Sequence, residues 1–136
     1  MANAIYPKYK EALLAGSANI SLTSGTVKAA LIDTGTYTYS ASHQYYSDLS
    51  GVVGTPVEIG ATKSVTAGTF DGADVTFTSV SGASAEAVVI YIDTGSPSTS
   101  RLVAYQDTNV TGLPITPNTG DISITWDNGA NKILTL

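Results

Sequence analysis

The chain has no cysteine, one histidine, one methionine and one tryptophan, and only 12% of its residues are charged. Without cysteine there is no disulfide framework, no thiolate nucleophile and no thiolate-ligated metal site. The lone His43 has to serve any Ser-His-Asp arrangement, and by itself it cannot build a His-rich metal site. It lies in "SHQYYSD" beside Tyr45, Tyr46 and Asp48, which reads as a surface or interface histidine rather than a general base. The six Lys and Arg are scattered singly under a net charge of −5. No basic stripe follows a phosphate backbone, so nucleic-acid binding is not expected. No run of about 18 apolar residues occurs, and "MANAIYPKYKEALLAG" carries Lys and Glu inside its apolar stretch. Neither a membrane span nor a signal peptide is expected. The protein is read as made and kept soluble in the cytoplasm, or released by another route such as cell lysis. Gly-rich phosphate motifs are missing, and Asp71 and Asp74 in "FDGAD" lack the flanking helices and terminal Glu of an EF-hand. No cofactor and no metal are expected. The Asn19-Ile20-Ser21 and Asn109-Val110-Thr111 sequons carry no weight without secretion.

What replaces charge is hydroxyl: 15 Ser and 19 Thr. Against the usual ~25% of charged residues, solubility has to rest on hydroxyls, amides and glycine, a surface suited to sheets and to close packing against neighbours. At 136 residues and 14.0 kDa the chain can bury a core without staples. No linker or composition shift marks a second domain, so 1–136 is read as one domain. A helical segment occupies 1–16 and a β-rich body 20–136.

Ile5, Tyr9, Ala12 and Leu13 recur at helical spacing, with Pro7 in the first turn and Gly16 as the stop, which predicts a helix of about three turns. From Thr26 the period changes. Val27, Ala29 and Leu31 alternate with Lys28 and Ala30, and "TYTYS" is β-rich. "SASHQYYSDLSG" reads as irregular or briefly helical, with Ser42 as a cap and Gly51 as a stop. Val75 and Phe77 face one way against Thr76 and Thr78. "AEAVVIYID" is apolar on both faces, as a central strand should be, and "RLVAYQD" follows the turn-rich "TGSPSTS". "DISITW" turns through Asp127-Asn128-Gly129 into "KILTL", the strongest hairpin signal in the chain, and Asp71 to Asp74 reads as another hairpin turn. The expected fold is mainly β, an antiparallel β-sandwich or small barrel with one short N-terminal helix.

The most provocative motif is doubled. "ALIDTG" ends at Gly35 and "IYIDTG" ends at Gly95. Two apolar residues before Asp-Thr-Gly resemble the catalytic loops of aspartic proteases, whose two carboxylates share one proton. Two lobes of roughly a hundred residues each do not fit this chain. A retroviral-type dimer uses one such loop per subunit, which leaves one copy without a role. Those families also carry a later apolar-apolar-Gly segment, and the nearest match, "VEIG" at Val57 to Gly60, follows Asp33 too soon. The reading adopted is that Asp33, Thr34, Gly35, Asp93, Thr94, Gly95, Asn128 and Gly129 are structural turn residues. In it, Asp accepts hydrogen bonds from the backbone two residues on, and Gly supplies positive φ. No catalytic residue is assigned.

Across nearly its whole length the chain resembles a family of small tailed-bacteriophage virion structural proteins. The blocks that carry the likeness are "MANAIYPKYKEALL", "VKAALIDTGTYTYSASHQYYSDLSGVVGTP", "FDGADVTFTSVSGASAEAVVIYIDTG", "SRLVAYQDT" and "GLPITPNTGDISITWDNGANKI". The resemblance implies a non-enzymatic head or capsid component, with a decoration (cement) protein as the nearest functional model. It implies the major capsid protein of the same phage as partner, a homotrimer at threefold positions, and a place on the outer head surface of the virion. A tail, baseplate or receptor-binding component is the alternative, and an aspartic protease a remote one. Ile5, Tyr6, Tyr9, Leu13 and Leu14 are the candidate interface, reaching a partner subunit or else covering one end of the sandwich. Eight Tyr fit an interface-rich surface.

Overall fold

A computed structural model describes residues 3–60, 62–108, 110–127, 129–130 and 132–136. The chain begins with a two-residue strand, β1 (Ala4–Ile5), and enters helix α1 (Pro7–Ala15). Strand β2 (Thr26–Ile32) is followed by a single 3₁₀ turn at Tyr46–Asp48 and by β3 (Val52–Glu58). Three short strands come next, β4 (Ser64–Thr66), β5 (Thr69–Asp71) and β6 (Val75–Phe77). Two long ones, β7 (Ala87–Asp93) and β8 (Arg101–Gln106), precede β9 (Ile122–Ile124) and β10 (Leu134–Thr135). They form a five-stranded sheet in the order β1-β8-β7-β2-β3, a three-stranded sheet β10-β5-β4 and a pair β6-β9, all antiparallel. The protein is mainly β, consistent with a small β-sandwich, with one short helix.

β7 occupies the middle of the large sheet because it is apolar on both faces. Ala87 through Ile92 are all buried. Polar sheets cover neither side of such a strand; apolar layers have to do so. β2 pairs with it over seven residues without a break, from Thr26 opposite Asp93 to Ile32 opposite Ala87. Each aliphatic side chain buried here contributes on the order of 1.5–3 kcal/mol. One buried cluster runs from Tyr6 through these strands to Leu134.

Helix α1 starts and ends where Pro7 and Gly16 predict. Gly16 adopts φ 63°, and the N–H groups of Gly16 and Ser17 donate to the carbonyls of Leu13 and Ala12, capping the last turn. Its buried residues are Tyr9 and Ala12, and the helix lies against β8. β1 adds to the outer edge of β8 through Ala4 opposite Tyr105 and Ile5 opposite Ala104. The Asn3 side chain holds the neighbouring chain: its Oδ1 accepts from the N–H groups of Asp107 and Thr108, and its Nδ2 donates to the Thr108 carbonyl.

Three local expectations are corrected. "DISITW" and "KILTL" do not form a hairpin: β9 pairs with β6, Ile124 opposite Val75, whereas β10 pairs with β5, Leu134 opposite Phe70. Trp126 diverts the chain, its backbone N–H donating to Asp74 Oδ1 at 2.9 Å and its indole N–H to the Ala73 carbonyl at 2.8 Å. Asp71 to Asp74 is therefore not a hairpin turn but a crossing between two sheets. The backbone at Gly72 passes so close to Ile59 that a Cβ would lie 2.5 Å from its Cγ2. Ser42 does not cap the 3₁₀ turn, which starts at Tyr46 with the Asp48 carboxylate accepting from the N–H groups of Gln44 and Tyr45.

Candidate functional site

The two Asp-Thr-Gly loops close opposite ends of one strand pair. Asp33 follows the last residue of β2, beside the start of β7, and Asp93 ends β7, opposite the start of β2. A seven-residue ladder at about 3.3 Å per residue separates the carboxylates by roughly 20 Å, so within one chain they cannot share a proton, which requires near contact. Both loops are Asx turns. Gly35 N–H donates to Asp33 Oδ1 at 2.8 Å, and Gly95 N–H to Asp93 Oδ1 at 2.9 Å. Gly129 N–H donates to Asp127 Oδ1 at 2.9 Å in the same manner, while Asn128 lies outside the described residues. Of Gly35 and Gly95, it is Gly95 that adopts positive φ, at 87°. At Gly35 the requirement is space instead: a Cβ would lie 3.1 Å from Asp33 Oδ1.

The surroundings of the two turns differ. Lys28 Nζ lies 2.7 Å from Asp93 Oδ2, with side chains 30% and 23% exposed. That hydrogen bond first, and the Gly95 N–H second, hold the Asp93 carboxyl below its ordinary range. Thr94 donates its backbone N–H to Ser100 Oγ. At the other turn, Thr34 donates both its N–H and its hydroxyl to Glu86 Oε1, at 2.9 and 3.0 Å.

Each turn borders a small cleft that combines carboxylate and tyrosine. One, of about 250 Å³, is lined by Lys28, Tyr46, Tyr91, Asp93 and Pro97 among others. The Tyr46 and Tyr91 rings stand 4.7 Å apart there. Burial, then Tyr46 and the Asp93 charge, push the Tyr91 hydroxyl well above its usual range. The other, of about 290 Å³, is lined by Thr34, Tyr37, Tyr39, Glu86, Tyr105 and Asp107 among others. The Tyr39 ring lies 5.4 Å and the Tyr37 ring 6.3 Å from that of Tyr105. Burial, then the charge and hydrogen bond of Asp107, with smaller contributions from Tyr37 and Glu86, raise Tyr105 to about 12. Spacing along the chain gave no hint of either pairing, because Lys28 meets Asp93 and Glu86 meets Thr34 only through strand register. One signal existed: Lys28 is the only charge in the β2 segment Thr26–Ile32.

Tyr6 and Tyr9 are corrected as interface residues. Both are buried in the chain's own core, because each hydroxyl finds a partner there. Tyr6 is hydrogen-bonded to the Tyr37 hydroxyl at 2.9 Å, and Tyr9 donates to the Ile20 carbonyl at 2.8 Å. Burial foremost, reinforced by the Tyr37 hydrogen bond, lifts the Tyr6 hydroxyl far above the normal tyrosine range. The Tyr37 hydroxyl in turn lies 2.7 Å from His43 Nδ1, so the single histidine belongs to a tyrosine network that ties residues 37–43 to Tyr6, the residue just before α1. Ile5 and Leu13 pack partly against the core, and Leu14 stands 91% exposed. Among the described residues Val65 and Leu136 are the other large apolar side chains at the surface. They lie on the sheet face that carries Phe70 and Leu134, since Val65 and Leu134 both oppose Phe70 and Leu136 is two residues on.

Among the described residues no three His, Cys, Asp or Glu side chains converge as a metal site, and no helix is long and apolar enough to cross a membrane. No family model matches the chain, and no curated protein matches it.

Proposed function

We propose that the protein is a non-enzymatic structural component of a bacteriophage virion, a decoration protein that binds the outer head surface as a homotrimer and reinforces contacts between major capsid protein subunits. The observation that carries this reading is a surface of short hydroxyl side chains on a sheet scaffold, from which Leu14, Val65 and Leu136 project at 91%, 52% and 59% exposure. Serine and threonine lose little rotamer entropy on docking, so a low-charge β surface adheres at small ordering cost. Many repeated weak contacts around a shell add up through multivalency. Backbone geometry accounts for the doubled aspartate turns, each of whose carboxylates accepts from the glycine N–H two residues on.

The test is cosedimentation of the purified protein with heads assembled without it, followed by heating. Saturable binding with a raised temperature of DNA release supports the reading. Binding to isolated tails and not to heads replaces it with the tail or receptor-binding alternative.

A further inference from the structure

The aspartate carboxylates of this chain are aimed in different directions. Those of Asp33, Asp93 and Asp127 accept from a glycine N–H two residues on. Those of Asp74 and Asp121 accept from Trp126 and Ser79, far away in sequence. Asp71 is turned instead on its own peptide bond: the N–H of Gly72, the next residue, donates to Asp71 Oδ1 at 2.9 Å. Asp71-Gly72 is also the one Asp-Gly pair in the sequence. A bond from the Gly72 nitrogen to Asp71 Cγ closes a five-membered ring. With Oδ1 already at hydrogen-bond distance, the carboxyl carbon behind it is near the ~3–3.5 Å from which positioned groups react.

We infer that Asp71 is a self-modification site, at which the Gly72 nitrogen attacks Asp71 Cγ to form a succinimide that water reopens to an isoaspartyl linkage. In the first step the N–Cγ bond forms and one Cγ–O bond breaks. The amide proton and the proton of the neutral carboxyl leave with that oxygen as water. In the second step one water adds back to the imide. Opening at Cγ restores aspartate, whereas opening at the Asp71 main-chain carbonyl routes the backbone through the former side chain. Glycine leaves the attacking nitrogen unobstructed, since it has no Cβ, and the fold requires glycine there because a Cβ would lie 2.5 Å from Ile59 Cγ2. Both flanks are held: Asp71 pairs with Ser64 in the β4–β5 ladder, and Ala73 and Asp74 hold Trp126. The reacting groups therefore keep their relation instead of sampling it. Asp71 and Gly72 are half-buried and Ala73 and Asp74 are exposed, so water reaches the ring. Rearrangement inserts a methylene into the main chain at the crossing from β5 to β6 and displaces Ala73 and Asp74 from Trp126.

The experiment is prolonged warm incubation of the intact chain at mildly acidic pH beside the peptide acetyl-Thr-Phe-Asp-Gly-Ala-Asp-amide. Digestion and electron-transfer fragmentation then distinguish isoaspartate from aspartate at each position. The result expected is isoaspartate at Asp71, formed faster in the folded chain than in the peptide by about threefold or more, with Asp33 and Asp93 unconverted. Reading each position separately keeps Asp71 apart from Asn128-Gly129, where asparagine reaches the same product by losing ammonia. Asp71→Asn retains the oxygen that accepts from Gly72, and should convert faster still, with ammonia as the leaving group. A folded chain that reacts no faster than the peptide, or an Asp71→Asn chain that stays intact, overturns the inference. Trp126 is the chain's single tryptophan, so its emission reports the consequence. A red shift in the isoaspartyl fraction is expected, and unchanged emission there refutes the displacement of Ala73 and Asp74.

Discussion

Replacing each aspartate of the doubled tripeptide by asparagine separates turn geometry from charge. In both positions asparagine retains the oxygen that accepts from the glycine N–H two residues on. Asp33→Asn therefore costs at most a few tenths of a kcal/mol. Asp93→Asn also removes the partner of Lys28, in a pair whose side chains are 30% and 23% exposed. Exposed pairs contribute ~0.2–1 kcal/mol, and a partly sheltered, charge-assisted hydrogen bond belongs near the top of that range. The expected cost is about 1 kcal/mol, or about 3–5 °C in Tm for a chain of this size. The pH dependence follows from the direction of the shift. Asp93 is depressed in the folded state, so its stabilisation is present above the unfolded carboxyl value of ~3.9 and is lost as pH falls through the lower folded value. Thermal melts of wild type and both variants at pH 7 and again near pH 2 measure this directly. Wild type and Asp93→Asn should differ at neutral pH and converge in acid. Equal costs for the two variants, or a gap independent of pH, would refute the assignment of distinct environments to the two loops.

Other substitutions probe the scaffold. Ala67 and Gly68 join β4 to β5 with φ of 51° and 77°, and Ala67→Asn should stabilise by up to ~1 kcal/mol in urea unfolding, since asparagine tolerates the left-handed region better than alanine. Gly72→Ala should destabilise by about 1–3 kcal/mol in the same assay, because the added methyl meets Ile59 Cγ2 at 2.5 Å. Tyr6→Phe should cost about 1 kcal/mol by removing one end of the buried Tyr6–Tyr37–His43 chain. Leu14→Lys should leave the melting curve unchanged, given 91% exposure, and weaken head binding if α1 contributes to the docking surface.

The parts legible in the sequence were those fixed by short-range physics. β7 is apolar on both faces and had to be central; Pro7 and Gly16 bracket α1 because one lacks an N–H and the other tolerates positive φ. What escaped was set by partners distant in the chain. The turn at Asp127 resembles a hairpin turn locally, but Trp126 is anchored to Ala73 and Asp74, and that contact sends β10 to another sheet. Tyr6 and Tyr9 looked available to a partner because no local pattern shows that Tyr37 and Ile20 wait to receive their hydroxyls. The clefts were invisible for the same reason, since register alone decides that Lys28 reaches Asp93.

The role proposed for the chain is that of an adhesive building block of a phage head. A cryo-electron microscopy reconstruction of the particle tests it most directly. Density for the chain is expected on the outer shell, bridging neighbouring coat subunits, with Leu14, Val65 or Leu136 at the contact. Density confined to the tail, or a complete particle without the chain, would contradict it.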